Sequence, residues 1–273
     1  MSTESFKAIL EKTQRVEGMT TPFSIAVIDA LLSFQKKQKI TGHILEFGVY
    51  KGKSAILLRE HLGINESLVL VDIEKYIDDS TLQLLGPETK FILGASKDLK
   101  ISAINFESLI KKIRFLHIDS SHAYRTTIDE LRLTESVLSP DGILCMDDFT
   151  NLNYSQILPA LYKYLYTEKT DLTVFLVTNE KAYLCRRAYF DLYANYVLRE
   201  IVAEVAQSAH QPMAIARTDM DIEYAAFYLR PKLEDESSEF YGKNIYGDMY
   251  INASPRDMLF AIPRKFKWRL FSS

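Results

Sequence analysis

Cysteine is scarce: the 273 residues contain two, Cys145 and Cys185. Each sits inside an apolar run, an arrangement that suits reduced thiols, excludes a disulfide scaffold and sets the cytoplasm as the expected location. Charge of one sign is not in excess either. The formal net charge is −3 with 25% charged residues, so the basic surplus of a nucleic-acid binder is missing and no nucleic-acid role is expected. Long apolar runs are absent. No window approaches the ~18 residues of a membrane span, and the N-terminal MSTESFKAILEKTQRVEG has no signal-type apolar centre. The chain is nevertheless long enough to bury a substantial core as one large domain, or as an α/β domain with a sizeable appendage.

What is present from residue 44 onward is an alternation of short apolar runs and helical patterns: HILEFGV, a helix from about Ser54, SLVLVDI, KFILGA, IRFLHID, a helix from about His122, then GILCMDD. That rhythm predicts a parallel sheet with right-handed crossovers and helices on both faces. Residues 5 to 37 read as two helices broken around GMTTP. DLTVFLV and KAYLCRR read as an antiparallel pair closing the sheet, followed by a helix from about Ala188 to Ser208. Ser120 or Ser121 is the expected cap of the helix after Asp119, whose apolar face runs through Tyr124, Ile128, Leu131 and Leu138 and which stops near Pro140 and Gly142. The resulting division is a helical cover over 1–43, a core over 44–186, and a C-terminal helix with an appendage over 187–273. No internal repeat is visible, and 234 to 239 is the only conspicuous charge-biased stretch.

Ligands of such sheets sit beyond the carboxyl ends of the strands, and each strand here ends on polar or small residues. In LEFGVYKGKSA, Gly48 and Gly52 follow a strand and precede a helix, a turn through which a nucleoside can approach closely. The spacing is not G-x-G-x-x-G, and Glu46 would repel a pyrophosphate, so S-adenosylmethionine fits better than a dinucleotide. A glycine turn that serves packing alone is the plain alternative. Asp72 ends the next strand, where it can accept from both ribose hydroxyls or cap a helix. Gly94, Ala95 and Ser96 offer a small-residue surface for an adenine ring.

The carboxylates carry more information. Asp119 and Asp147 are one helix-length crossover apart and emerge at the same edge if their strands are parallel neighbours, with Asp148 beside them. Three carboxylates in one pocket call for a neutralising cation, and hard oxygen ligands favour Mg²⁺, with Mn²⁺ or Ca²⁺ as alternatives. His122, one helical turn beyond Asp119, can accept a substrate proton over that metal, whereas a lone histidine at a helix start is otherwise a solvated or capping residue. His117, inside the strand, reads as a hydrogen-bonded core histidine.

Taken together, ILEFGVYKGKSAILL, LVLVD, FILGASKDL, IRFLHIDSSHAYRTTIDELRL and LSPDGILCMDDF resemble the class I S-adenosylmethionine-dependent methyltransferases, and among them the metal-dependent O-methyltransferases of the catechol and macrolide-sugar types. The resemblance covers residues 44 to about 186. It implies a Rossmann-like sheet, mostly parallel with an antiparallel last strand. It also implies that Glu46, Gly48, Gly52 and Ser54 surround the methionine part of the cofactor, with Ser54 near its carboxylate. Tyr50 belongs to the same turn, Asp72 would hold the ribose, Ala95 and Ser96 would border the adenine, and Asp119 would touch both cofactor and metal. Asp119, Asp147 and Asp148 match metal-ligand positions, although catechol-type enzymes carry asparagine in place of Asp148. His122 matches the base, a lysine in catechol-type enzymes and a histidine in sugar-type ones, which points to a sugar-like or other aliphatic hydroxyl acceptor within a glycan or natural product.

Other readings stay open at this level. A carboxylate and histidine cluster can hold Fe²⁺ for a hydroxylase of a natural-product pathway, and a nucleoside-binding scaffold needs no chemistry at all. The acceptor pocket is expected from GMTTP, from Thr150 to Tyr154, and from Tyr241, Tyr246 and Tyr250, which could equally pack the appendage or a contact between copies. The terminal RKFKWRLF combines cations with Phe266, Trp268 and Phe271, compatible with plain packing or with interfacial contact. Homodimerisation through the aromatic C-terminal region is a further expectation.

Overall fold

The computed structural model describes residues 3–96, 106–217 and 226–232. Two helices come first, α1 (Thr3–Gln14) and α2 (Pro22–Lys37). The break falls at GMTTP, where Thr21 caps α2 by accepting from the Ser24 amide and Pro22 takes the first helical position, which needs no amide hydrogen.

The sheet then builds from β1 (His43–Phe47), β2 (Leu68–Asp72), β3 (Thr89–Leu93), β4 (Ile113–Ile118) and β5 (Leu138–Met146), all parallel, with α3 (Lys53–Glu60), α4 (Asp79–Leu85) and α5 (Tyr124–Val137) between them. After α6 (Ile157–Thr167), β6 (Leu172–Val177) and β7 (Ala182–Arg186) form a hairpin whose second strand inserts antiparallel beside β5. The strand order β3-β2-β1-β4-β5-β7-β6 is the Rossmann-like methyltransferase sheet expected from the sequence.

The sheet does not close there. β9 (Phe227–Pro231) pairs parallel with β6, and β8 (Met213–Arg217) pairs antiparallel with β9, so part of the expected appendage extends the sheet. The long helix of that region is α7 (Phe190–Tyr196), a π turn over Val197–Ile201, and α8 (Val202–Ala209).

Alternation along each strand feeds two cores. In β1, Ile44 faces the core shared with α1, α2, α3, α7 and α8, whereas Leu45 and Phe47 face the one shared with α5 and α6. Burying each such side chain stabilises the fold by roughly 1.5–3 kcal/mol. The helical layer is tied to the sheet at the start of β4 by buried Arg114. Its guanidinium donates to both oxygens of Glu66 (2.8 to 3.2 Å), to Gln35 Oε1 (2.9 Å) and to the His61 carbonyl (2.7 Å).

Two local expectations are corrected. The helix after Asp119 starts at Tyr124 with Ala123 at the cap, and neither serine caps it. Ser120 instead donates its hydroxyl to buried Glu130 (2.5 Å). That helix also ends at Val137, before Pro140, because β5 already begins at Leu138. The β4–β5 register jumps from Ile113↔Leu138 to Phe115↔Ile143, leaving Pro140 and Gly142 in an irregular stretch outside the ladder, where proline is tolerated.

Candidate functional site

The strand order reverses between β1 and β4, and the predicted site residues gather at the carboxyl ends flanking that reversal, where ligands of open α/β sheets bind. The turn after β1 is built on Gly48 (φ 80°) and Gly52 (φ 90°). A Cβ on Gly48 would lie 1.7 Å from the Asp119 carbonyl oxygen, and one on Gly52 would lie 2.7 Å from Ile77 Cδ1. Only glycine lets the turn press against the start of the loop after β4. Tyr50 between them is also left-handed (φ 48°), a strain offset by Asp72, whose Oδ2 accepts from the amides of Val49 (2.8 Å) and Tyr50 (3.0 Å). One oxygen of Asp72 therefore braces the turn, and Oδ1 accepts a longer bond from the Glu74 amide (3.4 Å).

The N-terminal cover is fastened to the same turn. Tyr50 donates its hydroxyl to Glu17 (3.0 Å), Lys51 pairs with Glu17, and Lys53 donates to the Gly18 carbonyl (3.0 Å). Ser54 lies buried in the first turn of α3. At the end of β3, Ala95 is half-buried, and among the described residues nothing stands within 4 Å of where a Gly94 side chain would begin. Ser96, buried, donates its hydroxyl to Glu130.

β4 and β5 are parallel neighbours with Ile118 opposite Met146, and Asp119 and Asp147 emerge at one edge. Their side chains then part. Asp119, His122 and Asp148 present one donor atom each within 4.8 Å of one another. His122 Nε2 lies 2.9 Å from Asp148 Oδ2 and 3.3 Å from Asp119 Oδ1. Half-burial works against the imidazolium, but the two carboxylates hold the His122 pKa up, to about 9. His122 (φ 55°) and Asp148 (φ 54°) are both left-handed, a costly conformation for residues with side chains and one that clusters at functional sites. Asn151 Nδ2 donates to Asp148 Oδ1 (2.8 Å), and the Tyr154 ring stacks on the His122 imidazole at 4.0 Å and 15°.

Asp147 does not join that cluster, which corrects the expectation of three carboxylates in one pocket. Its Oδ1 accepts from the Asp148 amide (2.8 Å), and its Oδ2 bonds the ammonium of Lys181 and lies 3.5 Å from His117 Nε2. The other ring nitrogen of His117 bonds Glu46 Oε1 (2.8 Å). Burial opposes the charge on His117, yet the Asp147 and Glu46 carboxylates on either side hold its pKa up, to about 9. Burial likewise opposes ionisation of Lys181 and Asp147, and each holds the other charged. Glu46 is fully buried, and its Oε2 has no partner among the described residues.

Sequence reasoning missed Lys181, which lies in no recognisable motif, and the roles of Asn151 and Tyr154 within a loop it had selected. Tyr241, Tyr246, Tyr250 and the terminal RKFKWRLF lie outside the described residues. Among the described residues no helix is long and apolar enough to cross a membrane.

Residues 45–149 match a family model described as a methyltransferase domain. The matched stretch is less than half of the chain. It runs from β1 to the loop after β5 and includes every predicted cofactor and metal position from Glu46 to Asp148, whereas Lys181 and the strands beyond lie outside it. No curated protein matches the sequence. Among solved structures, the chain is similar to the apo form of CalS11, a TDP-rhamnose 3′-O-methyltransferase of calicheamicin biosynthesis, at 15% identity over 67% of this chain and 93% of that one, with a TM-score of 0.47. It is similar to the O-methyltransferase NovP at 16% identity over 60% and 79%, TM-score 0.47. The SAH-bound methyltransferase PaMTH1 of Podospora anserina is similar at 12% identity over 68% and 97%, TM-score 0.45.

Proposed function

We propose that this methyltransferase is an S-adenosylmethionine-dependent, divalent-cation-dependent O-methyltransferase acting on a hydroxyl of a small molecule. The observation that carries the reading is the Asp119, His122 and Asp148 cluster, standing beside the glycine turn of the methyltransferase domain. The carboxylates of Asp119 and Asp148 stand close enough together to share one divalent ion, whose oxygen ligands sit ~2.0–2.6 Å from the metal, with His122 beside them as the base. Glu46 Oε2, buried beneath the turn and unpartnered among the described residues, is the acceptor suited to the cofactor's ammonium, and Asp72, whose Oδ1 carries only a long bond from the Glu74 amide, is the carboxylate suited to the ribose.

S-adenosylmethionine supplies a methyl group already activated on sulfur. A divalent cation on Asp119 and Asp148 supplies Lewis acidity that lowers the acceptor hydroxyl's pKa. The remaining work belongs to the chain. His122, cationic at neutral pH while it alone balances the two carboxylates, becomes a neutral base once they are otherwise neutralised, and it then takes the hydroxyl proton on Nε2. Tyr154 holds the ring plane of His122, and Asn151 fixes Asp148, so the accepting nitrogen stays oriented. The histidine at the base position favours a sugar-like or other aliphatic alcohol, in a glycan or natural product, over a phenol.

The test is transfer of labelled methyl from S-adenosylmethionine to panels of sugars, aliphatic alcohols and phenols under argon, with Mg²⁺ or with chelator. Transfer that needs the cation and not oxygen is expected. Oxygen-dependent turnover without the sulfonium cofactor would replace this reading with the hydroxylase one.

A further inference from the structure

Beside the half-buried cluster of Asp119, His122 and Asp148 lies a buried set, Glu46, His117, Asp147 and Lys181, of which Lys181 alone lies outside the methyltransferase match. Lys181 is 1% exposed, deep in the turn between β6 and β7, and its ammonium bonds Asp147 Oδ2. The same turn grips the loop after β5 at two further points: the Phe149 amide donates to the Glu180 carbonyl (2.7 Å), and the Thr150 hydroxyl donates to the Asn179 carbonyl. Tyr228 of β9 in turn donates its hydroxyl to Asn179 Oδ1 (2.7 Å). Asp147, pinned from below, accepts the Asp148 amide on Oδ1, a bond compatible with the left-handed backbone that turns the Asp148 carboxylate toward His122. The exposures agree with this division: the side chain of Asp147 is 11% exposed, against 20% for Asp148 and 32% for Asp119.

We propose that Lys181 is a positioning residue for the cation site: it withdraws Asp147 from the ligand set and makes it a strut that aims Asp148, so that Asp119 and Asp148, without Asp147, supply the carboxylate ligands. This deepens the proposed function and rests on its cation. It also departs from the ligand set implied by the family resemblance, which includes Asp147. The residue responsible comes from outside the matched domain, so the β6–β7 turn and the strands that brace it are part of the centre.

The experiment measures Mn²⁺ binding to the full chain without cofactor or acceptor, together with hydrogen exchange at the Asp148 amide. Three variants are compared with the wild type: Lys181→Met, Lys181→Met with Asp147→Asn, and Lys181→Met with Asp147→Ala. The Asp147→Asn substitution keeps an acceptor for the Asp148 amide and leaves no charge to coordinate with. That double variant is expected to bind Mn²⁺ within about 3-fold of wild type and to keep its amide protection, which also reports that the loop is folded. The variant with Asp147→Ala is expected to lose the protection and to bind about 10–100-fold more weakly, the range typical of lost outer support. Lys181→Met alone frees a carboxylate beside the site, so its Mn²⁺ affinity is expected to rise, an outcome a merely space-filling lysine would not produce.

Loss of Mn²⁺ binding in the Asp147→Asn double variant with protection intact would make Asp147 a ligand and overturn the proposal. Protection unchanged by Asp147→Ala would overturn the strut. A wild-type chain that binds no Mn²⁺ would sink the cation reading and the assignment of ligands with it, while loss of protection in the Asp147→Ala variant would still support the strut.

Discussion

Two histidines in this protein stand between two carboxylates each, and they solve the same electrostatic problem differently. His117 lies buried between Glu46 and Asp147, with Lys181 completing a set of two negative and two positive groups. His122 lies between Asp119 and Asp148, which form no direct ion pair with a lysine among the described residues, Lys181 acting on Asp119 only at longer range, so that set holds one more negative group than positive. Burial explains the difference. An unbalanced charge inside the sheet would cost several kcal/mol, so the chain carries its own counter-ion there; at the cleft, water tolerates the imbalance and a bound cation can complete it. The interior set has the makings of a scaffold and the cleft set those of a reaction centre.

The comparison breaks first at Lys181. Removing one partner of a buried ion pair costs roughly 3–5 kcal/mol, and urea unfolding of Lys181→Met should show a loss of that order. Asp148→Asn at the cleft should change stability by less than about 1 kcal/mol. Equal losses at the two positions would erase the distinction. The second contrast concerns rate. His122→Ala should lower methyl transfer by about 10²–10⁴-fold, the usual worth of a positioned base, with a smaller loss of stability than Lys181→Met. Undiminished transfer would remove the base role and leave the cation site standing.

pH sharpens the contrast more gently. Both histidines have folded pKa values of about 9, above the ordinary value of 6.5. A raised pKa on a basic group means stability that is fully present below about pH 6.5 and lost as pH rises through about 9. Urea midpoints should therefore decline across that window, and His117→Gln should flatten the decline more than His122→Gln because its shift arises in the dry interior. A midpoint constant from pH 6.5 to 9 would show that neither imidazolium is held by its carboxylates.

Much of this was legible in the sequence because it depends on local pattern. Apolar runs ending at Glu46, Asp72, Asp119 and Asp147 marked parallel strands and their carboxyl edge, and the crossover length between Asp119 and Asp147 placed both at that edge. Gly18 and Pro22 marked the break between α1 and α2. What escaped depends on partners far apart in the chain. Ser120 has the residue type of a cap, but Glu130 offered its hydroxyl a better-placed acceptor. The ion pair of Asp147 with Lys181 was hidden because Lys181 reaches it only through the pairing of β7 with β5. β8, MAIAR, is five residues at the sheet edge, too short and too rich in alanine to announce a strand.

In the proposed function the turn between Gly48 and Gly52 binds S-adenosylmethionine for methyl transfer. Calorimetric titration of S-adenosylmethionine and S-adenosylhomocysteine, with and without Mg²⁺ and with NAD as control, tests it most directly. Binding of both sulfur nucleosides is expected, with no binding of NAD and weaker binding in Asp72→Ala, which loses the brace on Val49 and Tyr50 and the carboxylate proposed for the ribose. Absence of binding by either nucleoside to the folded wild-type chain, under every metal condition, would contradict it.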